Sequence, residues 1–385
     1  MMNGKTTRRN FLQQTGLWAG AFAFGGSFAK RAQAAREKEL NILCWEGYNS
    51  DDVLDPFRRA HGAKVQAESG TSDPDMINKL RAGEVNVWDI INVNQPWARE
   101  QMYPEGLIKP LPRDRFEHYF EAMMDRFHPP FEWAMDTSGK ELIGMAQRFG
   151  PFCFVVNTDK ISRDMAEDQG FKLFLDPAMK DRYGLLTYDN WNIFHMCIAA
   201  DVHPFGSHTK AEIERFAEVA RQVFNGAKLL TDDLVQMNLA LINGEIDAYF
   251  TGGTYTASPA RFDGNRNVRG ITPARGPMNG KGGIVWIEIT STVNNPQLSP
   301  LALDFLEYVQ QPDACKVVAF SEGTYNPVSQ MANPEVLAKF NKDELDAIQW
   351  DSLEEEMARA VDYDINLDYA EMYDLYSAAK REREG

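Results

Sequence analysis

The stretch that decides the fold is LNILCWEGYNSDDVLDPFRRA, residues 40–60. Its apolar start predicts a buried strand over residues 40–45, and the cap signal at Ser50 or Asp51 predicts a helix over residues 51–60. Residues 64–67 read as a second strand. A strand, a helix and another strand in this order are typical of a parallel sheet in an α/β domain. Two large aromatic residues, Trp45 and Tyr48, lie at the exposed turn where the first strand ends.

The same alternation continues along the chain. Ser72 caps a predicted helix that runs to Arg81, with Pro74 at an early helical position where a missing N–H does no harm. Gly150-Pro151 predicts a break, with a new strand after it. The remaining signals predict strands over residues 88–93, 152–157, 246–250 and 283–289, and helices over residues 189–200, 210–225, 301–309 and 313–320, with a further helix ending at 239–243. The predicted fold class is therefore α/β, with mostly parallel sheets flanked by helices.

The first 34 residues have the layout of a cleavable export signal. A basic start precedes a weakly apolar run over residues 16–29 and the small-residue tripeptide Ala32-Gln33-Ala34. The pair Arg8-Arg9, followed by Phe11-Leu12, is typical of the twin-arginine pathway, which exports folded proteins. We therefore expect a mature chain in the periplasm, beginning after residue 34.

Charge and cysteine usage exclude several classes of function. Removal of the signal would take five basic and no acidic residues, which changes the formal net charge from −16 to −21. Nucleic acid is then a poor partner, because phosphate binding needs a basic face. The four cysteines form no CxxC pair and no zinc-like spacing. An exported chain allows a disulfide, but small buried thiols explain Cys44 and Cys153 as well, since both lie in apolar runs.

Two switches rich in glycine and proline divide the mature chain into three parts. They lie at residues 148–150 and 273–277. If the first and third parts pack together, two lobes are joined by two crossings, and the cleft between them can close on a small ligand. The predicted organisation is a first lobe of residues 35–148 and 276–342, a second lobe of residues 149–275, and a C-terminal helical segment of residues 343–385.

No catalytic signature is present in the sequence. It contains no GxSxG, P-loop, HExxH or GxGxxG motif, and His203 and His208 have a poor spacing for a metal site. We therefore expect a protein that is not an enzyme and that has no cofactor and no metal.

Aromatic and acidic residues instead gather where the predicted strands end. In open α/β sheets ligands bind beyond the carboxyl ends of the strands, aromatic faces hold cations, and a carboxylate pairs with an ammonium group. This pattern predicts an amine site, although Trp286 alone could be a core residue and Asp189 alone a helix cap. The residues concerned are Trp45, Tyr48, Trp97, Asp189, Trp286, Glu288 and Tyr325.

The order of several short stretches resembles one known family. The stretches cover residues 43–48, 75–80, 88–91, 148–151, 156–159, 186–189, 244–247, 282–288 and 323–327. In this order they resemble the spermidine/putrescine-type substrate-binding proteins of bacterial ABC importers, over essentially the whole mature chain. The resemblance implies a two-lobed periplasmic-binding-protein fold of type II, a membrane permease as partner and a monomer. It also implies that Trp45, Tyr48 and Trp286 enclose the chain of a polyamine, while Asp189 and Glu288 take its ammonium groups.

Several positions depart from the family pattern. Asn192 stands where a second acid is usual, Thr251 follows the strand where a tryptophan is usual, and residues 94–97, with Asn94 and Trp97, replace a stretch rich in serine and tyrosine. Tyr325 lies one place from the usual tyrosine.

The ligand class consequently stays open between three readings. The first is a small amine such as putrescine or spermidine. The second is a zwitterion, such as GABA or an aminophosphonate, whose acid group binds Arg148. Arg148 could equally be an exposed cation at the hinge. The third reading, from another class, is an exported enzyme on the same scaffold.

Overall fold

The structure is a computed structural model that describes residues 36–128 and 131–384. The predicted export signal lies outside the described residues and stays a prediction. Within the described ranges, no helix combines the length and the apolar character needed to cross a membrane.

Strands and helices alternate along the chain, as the sequence predicted. The strands are β1 (Glu39–Cys44), β2 (Lys64–Ser69), β3 (Ile90–Asn94), β4 (Ile108–Lys109), β5 (Met145–Asn157), β6 (Tyr183–Leu186), β7 (Leu229–Thr231), β8 (Ala248–Gly253), β9 (Val268–Ile271), β10 (Gly283–Val293), β11 (Phe320–Ser321), β12 (Thr324–Tyr325) and β13 (Ala360–Asp362). The α-helices are α1 (Asp51–His61), α2 (Asp73–Arg81), α3 (Arg113–Phe120), α4 (Arg163–Gln169), α5 (Asp189–Ala199), α6 (Lys210–Gly226), α7 (Leu234–Ile242), α8 (Thr254–Phe262), α9 (Leu301–Tyr308), α10 (Pro312–Val318), α11 (Pro334–Leu337), α12 (Lys342–Ala347), α13 (Leu353–Ala358) and α14 (Tyr369–Glu384).

The first helix shows how local sequence sets these bounds. The Ser50 hydroxyl accepts a hydrogen bond from the Val53 backbone N–H at 3.4 Å, which caps α1. Gly62 ends the helix in a left-handed conformation with φ of 58°. Val53 and Phe57 face inward and are fully buried. The apolar face of α1 therefore packs on the sheet, while its charged face meets water.

One twisted sheet runs through both halves of the molecule in the order β2-β1-β3-β10-β5-β8-β6-β7, with β4 and β13 paired to β10 and β9 paired to β5. β1 is parallel to β2 and β3, and β6 is parallel to β7 and β8. The long strands β10 and β5 are antiparallel to each other and to their outer neighbours. The sheet thus consists of two parallel sets joined by two crossing strands.

The predicted break at Gly150-Pro151 is wrong. Both residues lie inside β5, which already begins at Met145. Pro151 stands opposite Val285, whose carbonyl accepts from the Gln95 side chain at 3.1 Å and from the Tyr363 backbone N–H at 2.8 Å. Val285 therefore points its backbone away from Pro151, and the strand continues without an N–H at that position.

Hydrophobic clusters lie on both sides of the crossing strands. In the first lobe they cover both faces of the sheet and include Ile42, Phe57, Met76, Phe116, Ile287 and Phe305. In the second lobe they include Phe154, Leu185, Phe216, Met237, Tyr249 and Phe250. All four cysteines are buried and free.

The C-terminal segment is built into this framework. It is mostly helical, but β13 interrupts it and pairs in parallel with β10. Met372, Tyr376 and Ala379 of α14 belong to the second-lobe core. The lobe boundaries given above stay a prediction, with one proposed crossing inside β5 and the other between β9 and β10.

Candidate ligand-binding cleft

Arg148 of β5, Glu288 of β10 and Tyr48 of the turn after β1 form a buried triad. The Arg148 guanidinium donates from Nε to Glu288 Oε2 at 2.9 Å and from Nη2 to Oε1 at 2.8 Å. The Tyr48 hydroxyl donates to the same carboxylate at 2.8 Å, and the guanidinium carbon lies 4.7 Å from the centre of the Tyr48 ring. The expectation of an exposed hinge cation is therefore wrong for Arg148, whose side chain is only 3% exposed.

The local sequence brings the triad together. Glu288 and Trp286 alternate on β10, so both face the same side of the strand, as predicted. Gly47 has φ of 96°, and a Cβ atom there would lie 3.0 Å from Arg148 Nη1. Burial lowers the pKa of Arg148, but the Glu288 carboxylate and Tyr48 raise it above its usual value overall. The guanidinium is therefore charged at any physiological pH. Tyr48 itself is buried and does not stand at an exposed turn.

A second buried acid, Asp73, lies at the carboxyl end of the first-lobe strands. It is the first residue of α2, where the helix dipole favours a negative charge. The Asn94 backbone N–H donates to Asp73 Oδ1 at 3.0 Å, and the Asn94 side chain donates to Oδ2 at 2.9 Å. Burial nevertheless raises the pKa of Asp73 to about 6, and the nearby Glu288 charge adds to the shift.

Glu46 reaches from the first lobe to the second. Its Oε1 accepts from the hydroxyl of Tyr255, at the start of α8, at 3.1 Å. Burial raises the pKa of Tyr188 to about 12, and Glu46 contributes to the rise. The Glu46 charge also contributes to raising the pKa of Arg148 and the pKa of Glu288. The carboxylate of Glu46 therefore lies between the triad and the second lobe.

A row of aromatic side chains forms one wall of the candidate cleft, from Phe152 on β5 to Trp97, which follows β3. The Phe152 ring lies 4.8 Å from Trp191 and 6.3 Å from Tyr188, and Trp191 lies 5.3 Å from Tyr363. The indole N–H of Trp97 donates to the Tyr363 hydroxyl at 3.0 Å. Asp73 in turn influences the pKa of Tyr363. These aromatic rings therefore form a row between the region around Glu46 and the region around Asp73.

Trp45 and Trp286 are both partly exposed. Trp45 directly follows β1, next to Glu46, and its indole N–H lies close enough to the Asp73 carboxylate to lower the pKa of Asp73. Trp286 packs against Gly150, where an added Cβ would lie 3.7 Å from the indole ring. Part of each indole ring is therefore exposed and available for contact with a ligand.

Asp189 and Asn192 form a separate cluster. α5 begins at Asp189, as predicted. The Tyr376 hydroxyl of the last helix donates to Asp189 Oδ1 at 2.7 Å, and the Asn192 side chain donates to the same hydroxyl oxygen at 3.1 Å and to the Leu186 carbonyl at 2.8 Å. Both side chains are thus engaged by their own chain.

Tyr325 also lies apart from the triad in its described contacts. Its ring is 4.9 Å from Phe262 and 5.0 Å from Phe320, and its backbone N–H donates to Ser258 Oγ at 2.8 Å. These contacts join β12 to α8 across the two lobes.

Curated relatives cover most of the chain. The spermidine/putrescine-binding periplasmic protein of Salmonella typhimurium is 23% identical over 326 residues, which is 83% of this chain and 86% of the relative. The protein of the same name from Escherichia coli K12 has the same identity and coverage. The chain is similar in sequence to the spermidine/putrescine-binding periplasmic proteins over most of its length. The resemblance predicted from the sequence is therefore confirmed. No protein-family model matches the chain.

Solved structures of proteins with similar names show the same fold. The spermidine/putrescine ABC transporter substrate-binding protein PotD from Streptococcus pneumoniae, in complex with calcium and HEPES, aligns with a TM-score of 0.65 at 16% identity. The alignment covers 90% of this chain and 99% of that chain. The two-lobed periplasmic-binding-protein fold is thus confirmed.

The candidate cleft of this chain brings together only some of the ligand-binding residues that the sequence predicted. Tyr48, Arg148 and Glu288 are in direct contact, and Asn94 holds Asp73. Trp97 bonds to Tyr363, whose pKa the Asp73 charge helps to raise. Asp189, Asn192 and Tyr325 make other contacts. Five further residues of the candidate cleft were not predicted from the sequence, namely Glu46, Asp73, Tyr188, Trp191 and Tyr363. Asp73 follows a helix-capping serine and reads as a helix start, and Tyr363 comes from a segment far along the chain, so neither gave a signal.

The described part of the chain offers no obvious metal centre, because no three or more His, Cys, Asp and Glu residues there cluster to hold an ion. His208 makes a hydrogen bond with Asp368 at 3.0 Å instead. Chemically, the cleft offers carboxylates and aromatic faces. These groups suit the binding of a cation.

Proposed function

We propose that this chain is the substrate-binding component of an ABC importer and captures a small amine between its two lobes. In this proposal the twin-arginine signal delivers the folded chain to the periplasm, where it works as a monomer with a membrane permease. The relatives described above, which are named spermidine/putrescine-binding periplasmic proteins, support the transport role and the amine class.

The observation that carries the proposal is the pair of acids Asp73 and Glu46. Among the described residues, no Lys, Arg or His nitrogen lies within 4.0 Å of either carboxylate. Asp73 is only 3% exposed, and a buried carboxylate without a counter-charge is costly. A ligand ammonium group would supply that counter-charge, and Trp45, Trp286 and the aromatic wall would cover its methylene groups.

The position of these groups supports closure on the ligand. In the proposed division of the chain Asp73 belongs to the first lobe and Tyr188 and Tyr255 belong to the second, and Glu46 accepts a hydrogen bond from Tyr255. An amine that contacts both sides binds the closed form better than the open form and shifts the population toward it. The crossing strands β5 and β10 would act as the hinge.

The zwitterionic alternative is not favoured. A ligand carboxylate at Arg148 would have to displace Glu288, which already makes two charged hydrogen bonds to the guanidinium. The enzyme alternative has no supporting observation.

The test is a thermal-shift and calorimetric screen of the full-length chain with putrescine, spermidine, GABA and 2-aminoethylphosphonate. Ligand binding raises stability by about 2.7 kcal/mol at a hundredfold excess over Kd. We expect a response to the amines and little response to the zwitterions. The double variant Asp73→Asn/Glu46→Gln should lose the response, whereas Asp201→Asn, an exposed acid paired with Lys172, should keep it. A native chain that responds to no amine would refute the proposal.

A further inference from the structure

Arg148 occupies a cation site that its own chain has built. The site consists of the Tyr48 ring, 4.7 Å from the guanidinium carbon, and both oxygens of Glu288. The Tyr48 hydroxyl completes the coordination of the carboxylate. An aromatic face beside a carboxylate is the arrangement that would receive an ammonium group. Here the guanidinium already fills it.

The surrounding backbone is shaped for this side chain. Gly47 adopts φ of 96°, and a Cβ atom at this position would lie at 3.0 Å from Arg148 Nη1, which is closer than most real contacts. The side chains of Arg148 and Glu288 are 3% and 5% exposed. An ammonium group that approached Glu288 would therefore have to break two charged hydrogen bonds and leave a buried guanidinium without a partner.

The remaining acids of the cleft are neighbours of this pair. Glu288 stands opposite Asn94, which holds Asp73 through two hydrogen bonds, and Glu46 lies two residues before Tyr48, whose hydroxyl bonds to Glu288. Three carboxylates therefore share one part of the cleft, and Arg148 neutralises one of them. Glu46 and Asp73 are left as two acids with no Lys, Arg or His nitrogen of the described chain within 4.0 Å, and the Arg148 guanidinium, whose pKa Glu46 helps to raise, is bonded to Glu288.

We propose that Arg148 takes the place of one ligand ammonium group, so that the cleft selects an amine with at most two ammonium groups over a triamine. Arg148 is then a specificity-determining residue, and an α,ω-diamine is the ligand class that the two remaining acids can neutralise. This inference rests on the proposed function as an amine-binding protein.

The test measures the ratio of the putrescine and spermidine dissociation constants by calorimetry. In the native full-length chain we expect putrescine to bind at least as tightly as spermidine, because the third ammonium group finds no free acid. Arg148→Met exposes Glu288 to the ligand, and this change should shift the ratio at least about tenfold in favour of spermidine. Arg148→Lys, which keeps a cation, and Arg148→Met/Glu288→Gln, which removes the acid as well, should retain the native ratio.

Arg115→Met is the matched control, because Arg115 forms a similar two-pronged pair with Glu307 away from the cleft. It removes the same charge and should leave the ratio unchanged. The inference is overturned if the native chain binds spermidine more tightly than putrescine, or if folded Arg148→Met keeps the native ratio. If Arg148→Met does not fold, the ratio in the native chain decides alone. A native chain that binds neither amine would instead refute the proposed function.

Discussion

Arg148 and Glu288 are joined by two hydrogen bonds of 2.9 and 2.8 Å inside the protein, on the paired strands β5 and β10 that join the two parallel sets of the sheet. Such a pair contributes less to stability than its geometry indicates, since burying both charges is costly. It does enforce a specific arrangement, because neither partner can be lost alone without leaving a buried charge.

We therefore predict that Arg148→Met and Glu288→Gln behave non-additively. Arg148→Met alone leaves a buried carboxylate and should lower the free energy of unfolding by about 3–5 kcal/mol. The double variant should be more stable than Arg148→Met, because no unpaired charge remains. Urea unfolding of the four proteins of this cycle measures the coupling. Lys172→Met, which breaks a pair that is 61% and 62% exposed, is the control and should change stability little. Additive effects within the cycle would contradict the assignment.

Asp73 gives a second prediction, about pH. Burial raises its pKa to about 6 from the usual 3.8, so the folded chain holds this proton more tightly than the unfolded chain does. The stabilisation from this group is complete below about pH 4 and is lost as the pH rises through about 6. Asp73→Asn removes that loss and should be more stable than the native chain at pH 7.5, by at most about 3 kcal/mol at 1.36 kcal/mol per pKa unit.

The check is urea unfolding of both proteins between pH 4 and pH 7.5 without ligand, where the difference should shrink toward pH 4. Amine binding supplies the missing counter-charge, so putrescine affinity should rise as the pH increases through about 6. A variant that is less stable than the native chain at pH 7.5 would show that the Asp73 carboxylate is satisfied without a ligand.

The elements of the fold could be predicted because their signals are local. Ser50 and Ser72 cap the helices that follow them, as expected, and apolar runs predicted the central strands β1, β3 and β10. Gly150-Pro151 misled the prediction, since the carbonyl of Val285 opposite Pro151 turns to another partner, and that arrangement depends on tertiary structure.

The site was less predictable than the fold, because its contacts join distant parts of the chain. Glu288 was chosen for a ligand amine, but Arg148, 140 residues earlier, reaches it first. Asp189 was chosen for the same role, but Tyr376 of the last helix bonds to it. No spacing rule reports contacts over such separations, and the alternation of Trp286 and Glu288 on one strand was predictable only because it is local.

His195 gives a third prediction, of opposite sign to that for Asp73. Its Nε2–H donates to the Phe152 carbonyl at 2.9 Å, which leaves Nδ1 to accept from the Thr251 hydroxyl at 3.0 Å. Burial lowers the pKa of His195 from 6.5 to about 3, so the folded chain resists its protonation. Stability from this group is present above about pH 6.5 and is lost as the pH falls, at about 1.4 kcal/mol per unit.

We expect His195→Gln, which keeps a donor and an acceptor, to reduce the loss of stability between pH 6.5 and pH 4.5. Urea unfolding at a series of pH values measures this slope. The exposed His61→Gln is the control and should leave the slope at the native value. Equal slopes for native chain and His195→Gln would mean that another group controls the acid transition.

The fourth prediction separates binding from packing at Trp286. This tryptophan is partly exposed beside Gly150, on the same face of β10 as Glu288, so its ring is available to a cation in the cleft. Trp286→Ala should weaken amine binding by about 1–2 kcal/mol, in line with the loss of a partly desolvated cation–π contact. Trp350 is also partly exposed but packs between the two hydrophobic clusters of the first lobe. Trp350→Ala should therefore lower the free energy of unfolding and leave putrescine affinity near the native value. Calorimetry and urea unfolding of both variants give the comparison, and a Trp286→Ala protein that binds putrescine and spermidine like the native chain would remove this ring from the site.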